Sequence, residues 1–335
     1  MNPVQSEETF ASLLQNYFSD YLISQRNVSP CTVSSYRDAF RLLLNFARQH
    51  LRKPASNLTL MDLDVPLVLA FLKHLELKRK NSVRSRNARL AAIRSFMHYV
   101  TLKEPTALPT VNRLLAIPLK RFDRPSVDFL SREEIRALLQ APDTSTWSGQ
   151  RDNAMFATFY NTGARVTEIA GLNVEDFHLD ATATLRIRGK GRKERVVPLW
   201  KNTKQLLRDW LCHIRRDSKA PLFPNRHGER LTRSGIRTRF QYAFTKATES
   251  CETLHRHSVS PHLIRHTTAM HLLQSGVDIT VIALWLGHES PATTHMYVEA
   301  DLTMKKRAIN KLKQPLAGRS SFRPSDRLLT FLDAL

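Results

Sequence analysis

Apolar positions recur at helical spacing through most of the first hundred residues. Ser29-Pro30-Cys31-Thr32 offers a capping hydroxyl followed by a proline, which is tolerated in a first turn because its missing N–H would be unpaired there anyway. Tyr36, Phe40, Leu43, Leu44 and Phe46 then form one apolar stripe. The segment from Ser82 to Tyr99 repeats the pattern. Leu90, Ile93 and Phe96 fall at core spacing in a segment that also carries Arg84, Arg86, Arg89 and Arg94, so basic and apolar side chains are expected on different faces. Pro105, Pro109, Pro118 and Pro125 interrupt the helical pattern, with Lys120, Arg121 and Arg124 among them, which reads as a basic linker. Beyond it, Ser131 and Glu134 in Leu130-Ser131-Arg132-Glu133-Glu134-Ile135 spell a capping box and open a second helical region.

The helical pattern of that second region is broken once. The runs Ala183 to Arg188 and Val196 to Leu199 are β-rich and flank Gly189-Lys190-Gly191-Arg192-Lys193, the signature of a hairpin. Further on, Ser290-Pro291 predicts a short helix carrying Tyr297. Leu328, Leu329, Phe331, Leu332 and Leu335 predict a last helix that is marginal unless its apolar face is covered, by its own domain or by a neighbouring subunit. The expected fold class is therefore mainly α with a small β-sheet. Residues 1–104 form a helical domain, 105–127 a linker, 128–314 a mixed α/β domain, and 315–335 a tail helix.

Charge adds the partner. Lys and Arg number 51 against 30 Asp and Glu, for a formal charge of +21 and a pI of about 10.4, as expected of a protein that meets a polyanion such as double-stranded DNA. No segment approaches the roughly 20 apolar residues of a spanning helix. The start Met1-Asn2-Pro3-Val4-Gln5-Ser6 lacks a secretory pattern, so a soluble, cytoplasmic and nucleoid-associated protein is expected, with no membrane partner. Cys31, Cys212 and Cys251 show no zinc spacing and read as reduced thiols.

Six residues carry candidate chemistry: Arg165, Lys190, His262, Arg265, His288 and Tyr297. Breaking a DNA strand by in-line displacement needs a nucleophile, positive charge on the phosphate oxygens and a proton for the leaving 5' oxygen. A tyrosine titrates near ~10 and needs a base or a cationic neighbourhood to react at neutral pH. Guanidinium forks supply such a neighbourhood and bind phosphate bidentately. Each residue also has a plainer reading. Tyr297 could be a packing aromatic, Arg165 a partner of Glu168 one turn on, His262 and Arg265 a surface pair on one helix face, and Lys190 a solvated hairpin tip.

The segments Thr162-Gly163-Ala164-Arg165-Val166-Thr167-Glu168-Ile169 and Pro261-His262-Leu263-Ile264-Arg265-His266-Thr267, with Leu286-Gly287-His288 and Tyr297, resemble the tyrosine recombinase (phage integrase) family, nearest its Xer and bacterial integrase branch. The resemblance runs from about Phe10 to about Leu312. It implies a helical core-binding domain before a catalytic tyrosine recombinase domain, with Tyr297 as nucleophile and Arg165, Arg265 and His288 on the phosphate. It implies Lys190 as general acid, although Arg192, Lys193 and Arg195 lie close enough to compete, and His262 as an aid to proton transfer at Tyr297. No ATP, metal or other cofactor is implied. The implied assembly is a homotetramer on two paired DNA sites, monomeric when free, with a partner recombinase or accessory proteins left open. A type IB topoisomerase-like nicking and resealing enzyme, and a DNA-binding protein with an unused active site, are the other readings. The basic residues of the first domain, Lys73, Lys78, Arg79 and Lys80 included, would contact phosphate.

Overall fold

The computed structural model describes residues 9–122, 127–179, 182–189, 193–214, 217–258, 260–288, 294 and 296–297. It divides into two compact units, Met1–Pro125 and Ser126–Leu335. Lys190, Ser290, Pro291 and the tail over 315–335 lie outside the described residues.

In the first unit, α1 (Phe10–Asn16) runs on into a wider π-helical stretch, Tyr17–Gln25. It is followed by α2 (Pro30–Leu51), α3 (Val65–Leu77), α4 (Val83–Lys103) and α5 (Leu108–Leu115). The Ser29 hydroxyl caps α2 and Ser82 caps α4, as the sequence predicts. The core centres on Tyr17, ringed by Phe18, Tyr21, Phe40, Phe96 and Tyr99, and its hydroxyl donates to Ser95 Oγ at 2.8 Å. A buried tyrosine needs that partner.

Two features depart from the sequence reading. The stretch expected to be linker from Pro105 onward instead turns once and forms α5, with Val111, Leu114 and Ile117 fully buried in this unit's core. Pro105 and Pro109 sit in first turns, where proline starts a helix rather than breaking it. The chain stays pinned beyond α5. Asn87 donates to Lys120 O at 2.8 Å and accepts from Lys120 N at 3.1 Å. Arg86, expected on the basic outer face of α4, is only 8% exposed and reaches Pro118 O at 3.4 Å. The nitrogen that makes this contact, Nη1, also donates to Asn87 Oδ1 at 3.0 Å.

The second unit opens with α6 (Arg132–Gln140), whose capping box is formed by Ser131 and Glu134. Its spine is α7 (Trp147–Thr162), buried on most sides and packed against α9 (Lys201–Leu211) and α11 (Pro261–Gln274). Between them come α8 (Val166–Gly171) and a three-stranded antiparallel sheet. The sheet comprises β1 (Phe177–His178), β2 (Thr184–Arg188) and β3 (Glu194–Pro198), in that order, with Leu185 opposite Val197 and Ile187 opposite Arg195. The sequence gives no sign of β1, which is two residues long. Then follow α10 (Arg233–Ser250) and α12 (Ile279–Leu286). The strands of the hairpin help set the site, because β2 packs on α8 and β3 on α12. No described helix is long and apolar enough to cross a membrane.

Candidate active site

Two helix ends built on glycine bring the candidate residues together. Gly163 closes α7 at φ 58° and Gly287 closes α12 at φ 65°, a conformation that costs glycine little and other residues more. A Cβ on Gly163 would lie 2.4 Å from Leu286 Cδ2, and one on Gly287 would lie 2.9 Å from Arg195 Nη1. A side chain at Gly163 would thus collide with the end of α12, and one at Gly287 with the Arg195 side chain on β3. Arg265 ties them together: Nη1 donates to Gly163 O at 2.6 Å and Nη2 to Leu286 O at 2.8 Å. The motifs around Arg165, Arg265 and His288 thus share one guanidinium.

Arg265 is 4% exposed, and burial followed by the nearby Arg165 lowers its pKa to about 10, so it stays charged at neutral pH. Arg165 sits just before α8, where Glu168 turns back to it. Oε2 accepts from Arg165 N at 2.9 Å and Oε1 from Arg165 Nη1 at 2.7 Å. The plain ion-pair reading of Arg165 is thus correct as geometry. It does not exhaust the residue, because the Arg165 side chain remains 33% exposed with donors to spare.

Glu168 also takes a second arginine that sequence reasoning had placed elsewhere. Arg195 on β3, weighed there only as a rival for the acid role, donates Nη2 to Glu168 Oε2 at 2.8 Å and Nε to Trp285 O at 2.9 Å. Burial works against the Glu168 charge, but Arg195 and then Arg165 outweigh it and hold the carboxyl below the usual range. Arg195 therefore braces the hairpin against α8 and α12 through Nε and Nη2. The separation of Glu168 and Arg195 by 27 positions left no local signal.

His262 is exposed on the first turn of α11 and makes no hydrogen bond to another described residue. Desolvation, Arg265 and Arg165 each push its pKa down. His288, immediately after the Gly287 cap, pairs through Nδ1 with Thr294 Oγ1 at 2.8 Å. Tyr297 is 1% exposed, lies parallel to the His288 ring with centroids 6.4 Å apart, and meets His266 Nδ1 through its hydroxyl at 3.0 Å. The Tyr297 pKa lies above its ordinary value, because burial raises it by more than Arg265 and Arg165 pull it down. His266, one turn after His262, has no role implied by the motif, and its contact with Tyr297 spans 31 positions. Five of the six sequence-chosen residues thus form one cluster, and the sixth, Lys190, is outside the described residues. Among the described residues no cluster of His, Cys, Asp or Glu could hold a metal ion.

The phage integrase family model matches residues 128–304, and the model of the phage integrase N-terminal SAM-like domain matches residues 15–104. The chain belongs to the phage integrase family. It is a tyrosine recombinase, of the enzyme class that cleaves and rejoins DNA. A Sinorhizobium fredii protein bearing the name integrase/recombinase y4rC is 49% identical over 332 residues, covering 98% of each chain. The tyrosine recombinase XerC of Chlamydia caviae is 32% identical over 317 residues, 86% of this chain and 95% of that one. In fold, the chain is similar to the XerH site-specific recombinase bound to a palindromic difH substrate, with TM-score 0.66, 22% identity, and coverage of 85% of this chain and 81% of that one. It is likewise similar to the Tn1549 transposon integrase in complex with transposon right end DNA, with TM-score 0.66, 16% identity, and coverage of 91% and 99%.

The buried cationic setting has a consequence for stability. Burial and then the neighbouring positive groups lower both His266 and His288 from 6.5 to about 4. The unfolded chain would bind protons at these rings near pH 6.5 and the folded chain only near pH 4, so acidification across that window favours unfolding. The melting temperature is expected to fall steadily from about pH 6.5 toward pH 4. Replacing His288 with Gln should flatten that fall in a calorimetric pH series.

Proposed function

We propose that the protein is a site-specific recombinase that cuts and rejoins duplex DNA through a 3'-phosphotyrosyl link on Tyr297. The observation that carries this reading is the joining of three separate motifs by Arg265, which places Arg165, His262, His288 and Tyr297 around one cationic centre. A phosphate seated there meets two guanidiniums, from Arg165 and Arg265, that stay charged through the reaction and replace the charge a metal pair supplies in other nucleases. His288 adds a hydrogen bond to the phosphate oxygens, and so does His262, which is exposed beside Arg265 and Arg165, in place of the aid to proton transfer that the family resemblance implies for it. Lys190, which falls in sequence between β2 and β3, protonates the leaving 5' oxygen. The phosphotyrosyl bond conserves the energy of the phosphodiester, so the 5' hydroxyl of another strand reverses the step without ATP.

Strand exchange between two duplexes requires four cuts, one for each strand, and hence four tyrosines. The active assembly is a homotetramer on two paired sites. The helical first domain, residues 15–104 by its family match, holds the DNA with its basic helices while the second carries the chemistry. The protein works in the cytoplasm on nucleoid DNA, in the integration, excision or transposition of a mobile element.

The test is incubation with a nicked suicide duplex carrying a candidate site from DNA flanking the gene, followed by a denaturing gel. A covalent adduct is expected, and tight binding without one would count against the reading. The adduct should form equally well in excess chelator. Site affinity should drop steeply with salt, by roughly 10³-fold or more between 50 and 200 mM if six or more phosphates are neutralised. A filter-binding titration measures that slope.

A further inference from the structure

We propose that His266 is a further catalytic residue of this site, the group that takes the proton from the Tyr297 hydroxyl as its oxygen attacks phosphorus. The proposal rests on the recombinase reading, since it requires Tyr297 to be the nucleophile. The geometry supplies the first argument. His266 Nδ1 and Tyr297 Oη are 3.0 Å apart, within the roughly 2.6–3.2 Å over which a base takes a proton directly. The two rings are tilted by 59° with centroids 5.7 Å apart, so the contact runs through the nitrogen and hydroxyl rather than through stacked faces. His262, to which the motif points for proton transfer, is exposed one turn earlier on α11 and stays available to the phosphate.

The surroundings of His266 explain how such a base would be controlled. Burial, His262 and Arg265 on its own helix lower its proton affinity, Asp128 ahead of α6 opposes them, and His288 faces it from beyond α12. At neutral pH the ring is therefore uncharged, and the proposed role requires its proton on Nε2, so that Nδ1 accepts from the hydroxyl. A phosphate arriving at Arg165 and Arg265 brings negative charge that offsets the cationic field, which strengthens His266 as a base once DNA is seated.

The step balances. The Oη–H bond of Tyr297 breaks and its proton passes to His266 Nδ1, while an Oη lone pair forms the bond to phosphorus. The bond from phosphorus to the 5' oxygen breaks with its electron pair on that oxygen, which takes a proton from the acid on the far side. In rejoining, the His266 imidazolium returns its proton to the departing tyrosine. No co-reactant is consumed.

The experiment compares the full-length wild type with His266→Gln in single-turnover cleavage of the same nicked duplex across about pH 6 to 9. Glutamine can still accept a hydrogen bond from the hydroxyl but cannot take its proton. The expected result is unchanged melting and DNA affinity, with cleavage slowed by about 10²-fold or more and rising with pH as hydroxide takes over, where the wild type is level. Cleavage within about threefold of wild type with the same pH profile would show a merely structural contact, and faster cleavage would show a restraint on the tyrosine; either overturns the proposal. Should the variant fold poorly, the ring ¹⁵N resonances of wild-type His266 decide. An unprotonated Nδ1 at neutral pH supports the assignment and a protonated one overturns it. Failure of the wild type itself to form an adduct on tightly bound DNA would remove the recombinase reading, and this proposal with it. A fully active glutamine variant removes only the role of His266.

Discussion

Tyr297→Phe is expected to abolish covalent joining to DNA while leaving site affinity and folding essentially intact. The change removes one oxygen from a ring that is 1% exposed and packed among Met270, Leu273, Ile282 and Leu286. The apolar contacts of the ring survive. The lost hydroxyl had one partner among the described residues, His266 Nδ1, and that nitrogen is left without it. Leaving a buried acceptor unpaired costs about 1–3 kcal/mol, so a modest drop in melting temperature is expected beside the complete loss of the adduct. The two effects separate in a gel-shift assay run next to a denaturing gel. Residual adduct would mean that another nucleophile does the chemistry.

Arg265→Ala should be the most damaging of the phosphate-site changes, because Arg265 is both a charge and a structural tie. On the chemical side, removing one preorganised donor from a developing negative charge typically costs about 3 kcal/mol, or roughly 10²-fold in cleavage. On the structural side, the change opens a cavity and leaves Gly163 O and Leu286 O facing it without their donor. Each buried carbonyl left so costs about 1–3 kcal/mol. Arg165→Ala makes the contrast. Its side chain is 33% exposed and Glu168 keeps Arg195, so cleavage should fall comparably with far less loss of stability. Arg265→Lys should not restore activity, since one ammonium lacks the planar fork that spans two carbonyls and a phosphate. Thermal melts paired with single-turnover cleavage separate these contributions; equal melting of both alanine variants would contradict the structural half.

Where a structural feature is written in neighbouring residues, the sequence was readable. The caps at Ser29, Ser82 and Ser131, which start α2, α4 and α6, depend on residues three positions on, and β2 and β3 pair within one short stretch, from Arg188 with Glu194 to Thr184 with Pro198. The same holds for the motifs, whose residue types are dictated by phosphate chemistry. Features set by distant contacts were not readable. Arg86 carries the same local signal as its exposed neighbour Arg84, and only its proximity to Pro118 explains why it is buried. Val111, Leu114 and Ile117 fall in a proline-punctuated stretch that looks like linker until the core they complete is in view. The bracing of Glu168 by Arg195 and the pairing of His266 with Tyr297 span 27 and 31 positions. A surface pair for His262 and Arg265 and a packing aromatic for Tyr297 are the local readings, and the fold turns these residues into parts of one cluster.

The central claim, that Tyr297 becomes joined to the 3' phosphate of a cut strand, is tested most directly by mapping the adduct. The wild-type protein is trapped on a nicked duplex, digested with trypsin and nuclease, and the nucleotide-bearing peptide is sequenced by mass spectrometry. The account predicts a 3'-nucleotide on the peptide containing Tyr297 and nowhere else. A nucleotide on another residue, or joined through its 5' phosphate, would contradict it.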